Sequence, residues 1–241
     1  MFSNGKGSGL NPFFPVNLNI NGRLCVIVGG GQVALRKVAG LLACGPRLLL
    51  ISPTLVDGLH EIVDRAGIEW LERDYVRGDL KGAFLAVAAT SDRDVQDLIR
   101  DEAYRFSVLL NSADDPRACD FQVPASFNRG DLQLTVSTGG GSPALASRIR
   151  KQLETQFGPE YSGVVGLLRL VRDEIVVDGE EQSIHSQLFH TLLDRGVVEM
   201  VLESRWFDLQ MLLLEELPET IDGVALLRRF LEKFDSLESP V

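Results

Sequence analysis

The sequence predicts an α/β protein: an open parallel sheet with helices on both faces, followed by an all-helical half. Three observations carry that prediction. Short β-branched apolar runs alternate with segments of helical periodicity as far as Val123, the pattern of strand–helix–strand units. A glycine run stands between the first such strand and the first helix. From Tyr161 onward only helical periodicity remains, broken at Asp178–Glu181, Gly196, Pro218 and Gly223.

In chain order, Arg23–Val28 (RLCVIV) suits a strand buried on both faces. Gln32–Cys44 places apolar residues at helical spacing, and Gly45 is a natural stop. Arg47–Ile51 (RLLLI) is the next strand, broken by Pro53. Further strands are expected at Glu69–Leu71, Phe84–Ala89 and Val108–Leu110, with a helix near Arg93–Tyr104. After Pro124 the texture changes. Asp131–Thr138 (DLQLTVST) alternates polar and apolar residues, as a half-exposed strand does, and should present an edge that needs pairing or cover. Ser142 and Pro143 then make an N-cap and first helical position for the helix that follows.

Composition excludes several classes. With 241 residues, 45% hydrophobic and 24% charged, the chain is long enough to bury a sizeable core, and disorder throughout is ruled out. No run approaches the ~18 apolar residues of a membrane span, and Met1–Leu10 has no apolar core for a secretory signal, so no membrane partner is expected. Cys25, Cys44 and Cys119 are odd in number without Cys-x-x-Cys spacing, which predicts reduced thiols in a cytoplasmic protein and no structural zinc. Lys plus Arg total 24 against 34 Asp plus Glu, a net charge of −10 that argues against nucleic-acid binding.

Gly29-x-Gly31-x-x-Ala34 sits between a predicted strand and a predicted helix, where a dinucleotide-binding fingerprint of the Rossmann type belongs. Gly29 permits the tight turn, Gly31 lets backbone approach a pyrophosphate, and Ala34 allows close helix–strand packing. A ribose-gripping Asp or Glu about 20 residues on is missing. The second strand ends in Ser52-Pro53-Thr54, and Arg36 and Lys37 could favour a 2′-phosphate, so pattern alone leaves NAD and NADP open. In an open parallel sheet, ligands bind outside the carboxyl ends of the strands, which places Thr90, Asn111 and Asp114 near the crevice. Asp114 there is either a general base or metal ligand, or part of a plain Asp-Asp-Pro turn. Gly139–Gly141 before Ser142 is a second anion site or a flexible helix entry. Arg129, Arg148, Arg150 and Lys151 are the densest basic cluster, either a solvated face or a receiver of carboxylates. His60, His185 and His190 have no ligand spacing, and no metal site is expected.

Taken together, Val26-Ile-Val-Gly-Gly-Gly-Gln-Val-Ala34 with Arg36-Lys37, Ala88-Ala-Thr90, Asn111 with Asp114, Phe121-Gln-Val-Pro-Ala125 and Val136-Ser-Thr-Gly-Gly-Gly-Ser-Pro-Ala-Leu-Ala146 resemble the precorrin-2 dehydrogenase/sirohydrochlorin ferrochelatase family, the N-terminal module of sirohaem synthases. The resemblance runs from about Pro12 to Leu153; beyond that only length and helical character match. It implies a Rossmann-type domain, a dimerisation segment and a small all-helical domain, here a tail at 1–11, an NAD-binding domain at 12–123, the dimerisation segment at 124–153 and the helical domain at 154–241. It also implies a homodimer. The implied activity is oxidation of precorrin-2 to sirohydrochlorin with NAD⁺. Several members also insert Fe²⁺, a co-substrate, to give sirohaem.

By the same resemblance Asp114 is the key residue of both reactions. Gln32, Val33, Pro53 and Thr54 match cofactor-contacting positions, joined by Gly29, Gly31, Ala34, Ser52 and Thr90 from the motifs. Thr138 matches a hydroxyl near the tetrapyrrole, and Asn111, Gly139, Gly140, Ser142, Arg129 and Arg148 complete the expected substrate site. Gln96 departs from the Asn common after the Thr90 loop. A uroporphyrinogen methyltransferase domain does not fit in this length, which implies the stand-alone form. The competing expectation is a dinucleotide-sensing regulator that binds a protein partner through its helical half; it would need the glycine loop but no carboxylate at Asp114.

Overall fold

A computed structural model describes residues 13–115, 118–177 and 182–238, so the predicted break at Asp178–Glu181 and the proline of the Asp-Asp-Pro turn lie outside the described residues. The chain forms two compact units, residues 1–123 and 124–241, taken here in turn.

The first unit is a five-stranded parallel sheet. Its elements are β1 (Leu24–Val28), α1 (Gln32–Leu42), β2 (Arg47–Ile51), α2 (Asp57–Ala66), β3 (Glu69–Leu71), β4 (Leu85–Ala88), α3 (Arg93–Phe106) and β5 (Leu109–Ser112). The strand order is β3-β2-β1-β4-β5, with Val26 paired to Leu49 on one side and Ala86 on the other. The run of apolar residues in β1 is explained by cover on both faces. Ile27, Leu50 and Val87 pack with Ala34 and Val38 of α1 and with Leu59 and Val63 of α2. Val26, Ile51, Ala86 and Ala88 pack with Ile99 and Ala103 of α3.

Two differences from the predicted elements have physical reasons. Helix α2 was not expected, because its buried positions are only Leu59 and Val63, too narrow a stripe to stand out in a polar segment. Strand β5 runs to Ser112, so Asn111 lies inside the strand and is buried there rather than following it.

In the second unit β6 (Ala125–Arg129) and β7 (Leu132–Val136) form an antiparallel hairpin, Phe127 opposite Leu134. The two-residue loop Gly130–Asp131 has Gly130 at φ +56°, the left-handed start that a tight hairpin turn with glycine first requires. The edge of the Asp131–Thr138 strand is therefore met on one side by the chain itself. The sequence hid β6 because ASFNR carries a single large apolar residue. Helices α4 (Pro143–Gln156), α5 (Tyr161–Val177), α6 (Gln182–Asp194), α7 (Val197–Leu202), α8 (Trp206–Glu216) and α9 (Gly223–Glu238) follow, with Leu167, Val171, Leu209 and Leu226 fully buried among them. Among the described residues no helix is long and apolar enough to cross a membrane.

One buried polar contact pins a loop of the first unit to α3. Glu102, 7% exposed, accepts hydrogen bonds from the Tyr75 hydroxyl and the Gly78 N–H. Burial first, and then this hydrogen bond, push the Tyr75 phenol well above its ordinary pKa. Glu102→Leu strands both donors and should lower unfolding free energy by about 2–3 kcal/mol. Adding Tyr75→Phe should recover part of that loss, because the orphaned hydroxyl is gone. Urea unfolding of the two variants checks this, and equal stabilities for the single and double variants contradict it.

Candidate active site

The strand order places a topological switch between β1 and β4, whose carboxyl ends turn toward opposite faces of the sheet. Gly29, Gly30 and Gly31 occupy the end of β1, and each is there for a different reason. Gly29 has φ +119°, and a Cβ on it would stand 2.4 Å from the Ala89 carbonyl oxygen. A Cβ on Gly30 would stand 1.9 Å from the Thr54 carbonyl oxygen. Both glycines are demanded by the packing of the protein itself. Gly31 is not: its φ of −89° suits any residue, and none of the described residues lies within 4 Å of where its Cβ would be. It is the N-cap of α1, with no side-chain cap and no acidic residue in the first turn. Open space thus meets unsatisfied N–H groups and the positive end of a helix, the features that receive a pyrophosphate.

Gln32 is exposed and Val33 half-buried at the opening of α1, while Ala34 is fully buried against the sheet. The Ser52–Thr54 loop leaves β2 beside them. Ser52 is buried, and its hydroxyl donates to the Thr54 carbonyl at 2.8 Å; Pro53 and Thr54 are exposed. Lys37 faces the opposite way from this loop. Its ammonium donates to Asn111 Oδ1 at 2.8 Å, on the β5 side, and burial pulls its pKa below the usual lysine value. Lys37 is therefore not placed to take a 2′-phosphate beside β2. This removes one of the two cations that left NADP open.

Thr90 follows β4, and Asp114 follows β5. The Ala113 N–H donates to the Ala88 carbonyl at 3.0 Å, so the start of the Asp114 loop continues the sheet ladder. The loop is then folded back on its strand. Asn111 Nδ2 donates to the Phe121 carbonyl at 3.0 Å, and the Asp120 carboxylate accepts from the Leu110 N–H at 2.9 Å. The Cys119 sulfur accepts from the Ser112 N–H at 3.2 Å. Asn111 is thereby a buried organiser of the loop, with both ends of its amide occupied by protein. Asp114 projects from it exposed, and Gln96 Nε2 of α3 lies 3.3 Å from its Oδ2 and 2.6 Å from the Thr90 carbonyl. A cavity of about 540 Å³ opens here, lined by Arg93, Gln96, Asp97, Arg100, Asp114 and their neighbours. Sequence motifs did not single out Arg93 or Arg100, because isolated arginines on a polar helix carry no pattern.

The remaining expected residues belong to the second unit. Thr138 Oγ1 accepts from the Ser142 N–H at 2.9 Å, closing the glycine loop, in which Gly139 and Gly140 have φ +59° and +84°. Ser142 caps α4 by accepting from the Leu145 N–H at 3.2 Å. Arg129 donates to the carbonyls of Glu154 and Phe157 at the end of α4, and Arg150 pairs with Glu154. Arg148 is exposed on the same helix. The predicted basic cluster is thus split between fold and surface. In the first unit His60 stacks edge-on against Trp70, their centroids 4.9 Å apart. Among the described residues no three His, Cys, Asp or Glu side chains converge as a metal site.

The fold and the glycine turn define a dinucleotide-binding α/β module joined to a hairpin and helical unit. Residues 16–125 match an NAD(P)-binding family model, and residues 129–156 match that of the sirohaem biosynthesis protein central region. The siroheme synthase of Stutzerimonas stutzeri is 33% identical over 205 residues, covering 85% of this chain and 44% of that protein. The siroheme synthase of Pseudomonas aeruginosa strain PAO1 is 35% identical over 216 residues, covering 88% and 46%. A solved structure of SirC, precorrin-2 dehydrogenase, matches with a TM-score of 0.68 over 93% of this chain and 100% of that one, at 24% identity, a likeness of fold. The chain is thus similar to siroheme synthases across its NAD(P)-binding and central segments, and it spans less than half the length of those it matches.

Gly30 and Gly31 should separate under mutation. Gly31→Asp puts a carboxylate into open space, so the protein should keep its melting temperature while NAD⁺ affinity falls about 100-fold or more, the cost of like charges in contact. Gly30→Ala forces backbone apart and should cost about 1–3 kcal/mol of stability. Calorimetric titration and thermal unfolding check the pair; a Gly31→Asp protein that binds NAD⁺ like wild type contradicts the assignment.

Proposed function

We propose that the chain oxidises precorrin-2 to sirohydrochlorin with NAD⁺ in sirohaem biosynthesis. The observation that carries this reading is the uncapped, unobstructed start of α1 at Gly31 combined with the exposed Asp114 carboxylate two strands away at the same edge of the sheet. A regulator that only senses a dinucleotide needs the first feature and not the second.

The oxidation removes a hydride and a proton from the tetrapyrrole. The nicotinamide, when bound, supplies the hydride acceptor. The residues of this chain do the rest. The first turn of α1 holds the pyrophosphate, and the Thr54 hydroxyl, exposed beyond β2, is the candidate ribose contact. Asp114 takes the proton, since an exposed carboxylate held at a cavity wall is free to act as general base. The many carboxylates of the substrate need positive charge from a chain of net charge −10. Arg148 is exposed and is the candidate from the second unit, joined by the glycine-loop residues Thr138, Gly139, Gly140 and Ser142. Arg129 contributes chiefly by holding α4 in place.

Fe²⁺ insertion into sirohydrochlorin would use the same carboxylate, as acceptor of pyrrole N–H protons while the iron substrate enters, and needs no cluster of His or Cys ligands. A cytoplasmic location fits the three free thiols. A homodimer fits the two-stranded sheet, whose outer edges are open to pairing across a two-fold axis.

Three outcomes test this. Mixing precorrin-2, NAD⁺ and the protein without oxygen should generate NADH; Asp114→Ala should lower that rate about 10²–10⁴-fold with NAD⁺ affinity little changed, and Asp115→Ala should be milder. A wild-type rate in Asp114→Ala would make this carboxylate structural. Sirohaem forming from sirohydrochlorin and Fe²⁺ no faster with the protein than without it confines the activity to dehydrogenation. Sedimentation should show a dimer at micromolar concentration, and a monomer there refutes the assembly.

A further inference from the structure

We infer that Gln96 is a positioning residue for the reaction, the amide that holds the Asp114 carboxylate in a fixed place relative to the Thr90 end of the crevice; the inference rests on the dehydrogenase reading above. Gln96 stands in the first turns of α3. That helix start is rigidly anchored: Asp92 caps it by accepting from the Asp94 and Val95 N–H groups at 3.0 and 3.2 Å, and the Gln96 N–H returns to the Asp92 carbonyl. From this base the half-buried side chain reaches two loops at once. Its Nε2 lies 2.6 Å from the Thr90 carbonyl oxygen and 3.3 Å from Asp114 Oδ2.

Both partners are acceptors, a backbone carbonyl and a carboxylate. The amide nitrogen must therefore face them, and both of its N–H groups are spent, one on each. Among the described residues, Gln96 is the side chain that donates to Asp114. The carboxylate is otherwise exposed on the wall of the cavity between α3 and the β5 loop. An exposed aspartate left alone exchanges rotamers freely. Holding it in one of them before substrate arrives removes that entropy from the barrier to proton transfer. The same donor grips the carbonyl of Thr90, so the base is referenced to the loop at the cofactor crevice as well as to its own turn.

The test is steady-state and single-turnover kinetics of NADH formation by the full chain, with calorimetric NAD⁺ titration. Gln96→Met keeps the length and helix preference of the side chain and removes both donors. It should lower kcat about tenfold to a hundredfold, with the KM for precorrin-2 and the Kd for NAD⁺ within about twofold, the split expected when only the chemical step is affected. Gln96→Glu, which presents an oxygen where the donor stood, should lose at least as much. In an Asp114→Ala background Gln96→Met should add no further loss, because the two act as one unit. A wild-type kcat in Gln96→Met, a parallel loss of NAD⁺ affinity, or additive losses in the double variant overturns the inference. A wild-type protein that forms no NADH overturns the dehydrogenase reading itself, so the two failures are distinguishable.

Discussion

The first unit depends on a meeting of backbones with no side chains between them. The end of β1 passes within a Cβ's reach of the Ala89 carbonyl on one side and of the Thr54 carbonyl on the other. These contacts set the separations of β1, β4 and the β2 loop at the one edge of the sheet where chemistry can occur. They are van der Waals contacts of the backbone and cannot relax by rotamer change, which makes them stiffer than contacts between side chains. Gly31 then inherits a well-fixed position without contributing to it. None of the described residues fills the space where its side chain would stand, and that space is what a ligand can use.

The Asp114 loop is stiffened in a different way, by polar contacts that each satisfy a group the loop would otherwise leave buried and unpaired. Asn111 accepts from Lys37 and donates to the Phe121 carbonyl; Asp120 completes the β5 ladder at Leu110; Cys119 fills the interior of the turn. Burial raises the Cys119 thiol's pKa, as expected of an inert structural sulfur. Lys37 sits about one and a half turns below Gly31 on α1. The helix that opens on the cofactor site thus also buttresses the loop that carries the carboxylate.

Much of this arrangement was legible in the sequence because it depends on backbone periodicity and on residues with few alternatives. The β2 and β3 spans and the capped start of α4 at Ser142-Pro143 followed from local patterns, and a turn at the glycines between strand and helix was expected whether they bind a dinucleotide or only make a Gly-rich turn. Helix α2 and strand β6 did not, since two or three apolar residues on a short polar segment are too few to set a period. The roles of Lys37, Asn111 and Arg129 were invisible for another reason. Each is decided by a partner 74, 10 or 28 residues away, and residue type alone cannot tell a ligand-facing cation from one that holds a carbonyl. Lys37 turns toward β5 rather than toward the β2 loop because its ammonium meets the buried Asn111 amide.

The Arg129 fork has a consequence for how the second unit comes apart. It links the last residue of β6 to the final carbonyls of α4, groups that a helix end leaves unsatisfied, while stacking over Phe127 at 5.0 Å. Hairpin and helix therefore cannot fray independently. Opening the hairpin removes the cap of the helix, and unwinding the last turn of α4 strips the guanidinium of its acceptors. The segment from Ala125 to Phe157 should therefore open as one foldon, its amides sharing a single protection against hydrogen exchange instead of the graded protection of a strand pair and a helix that merely touch.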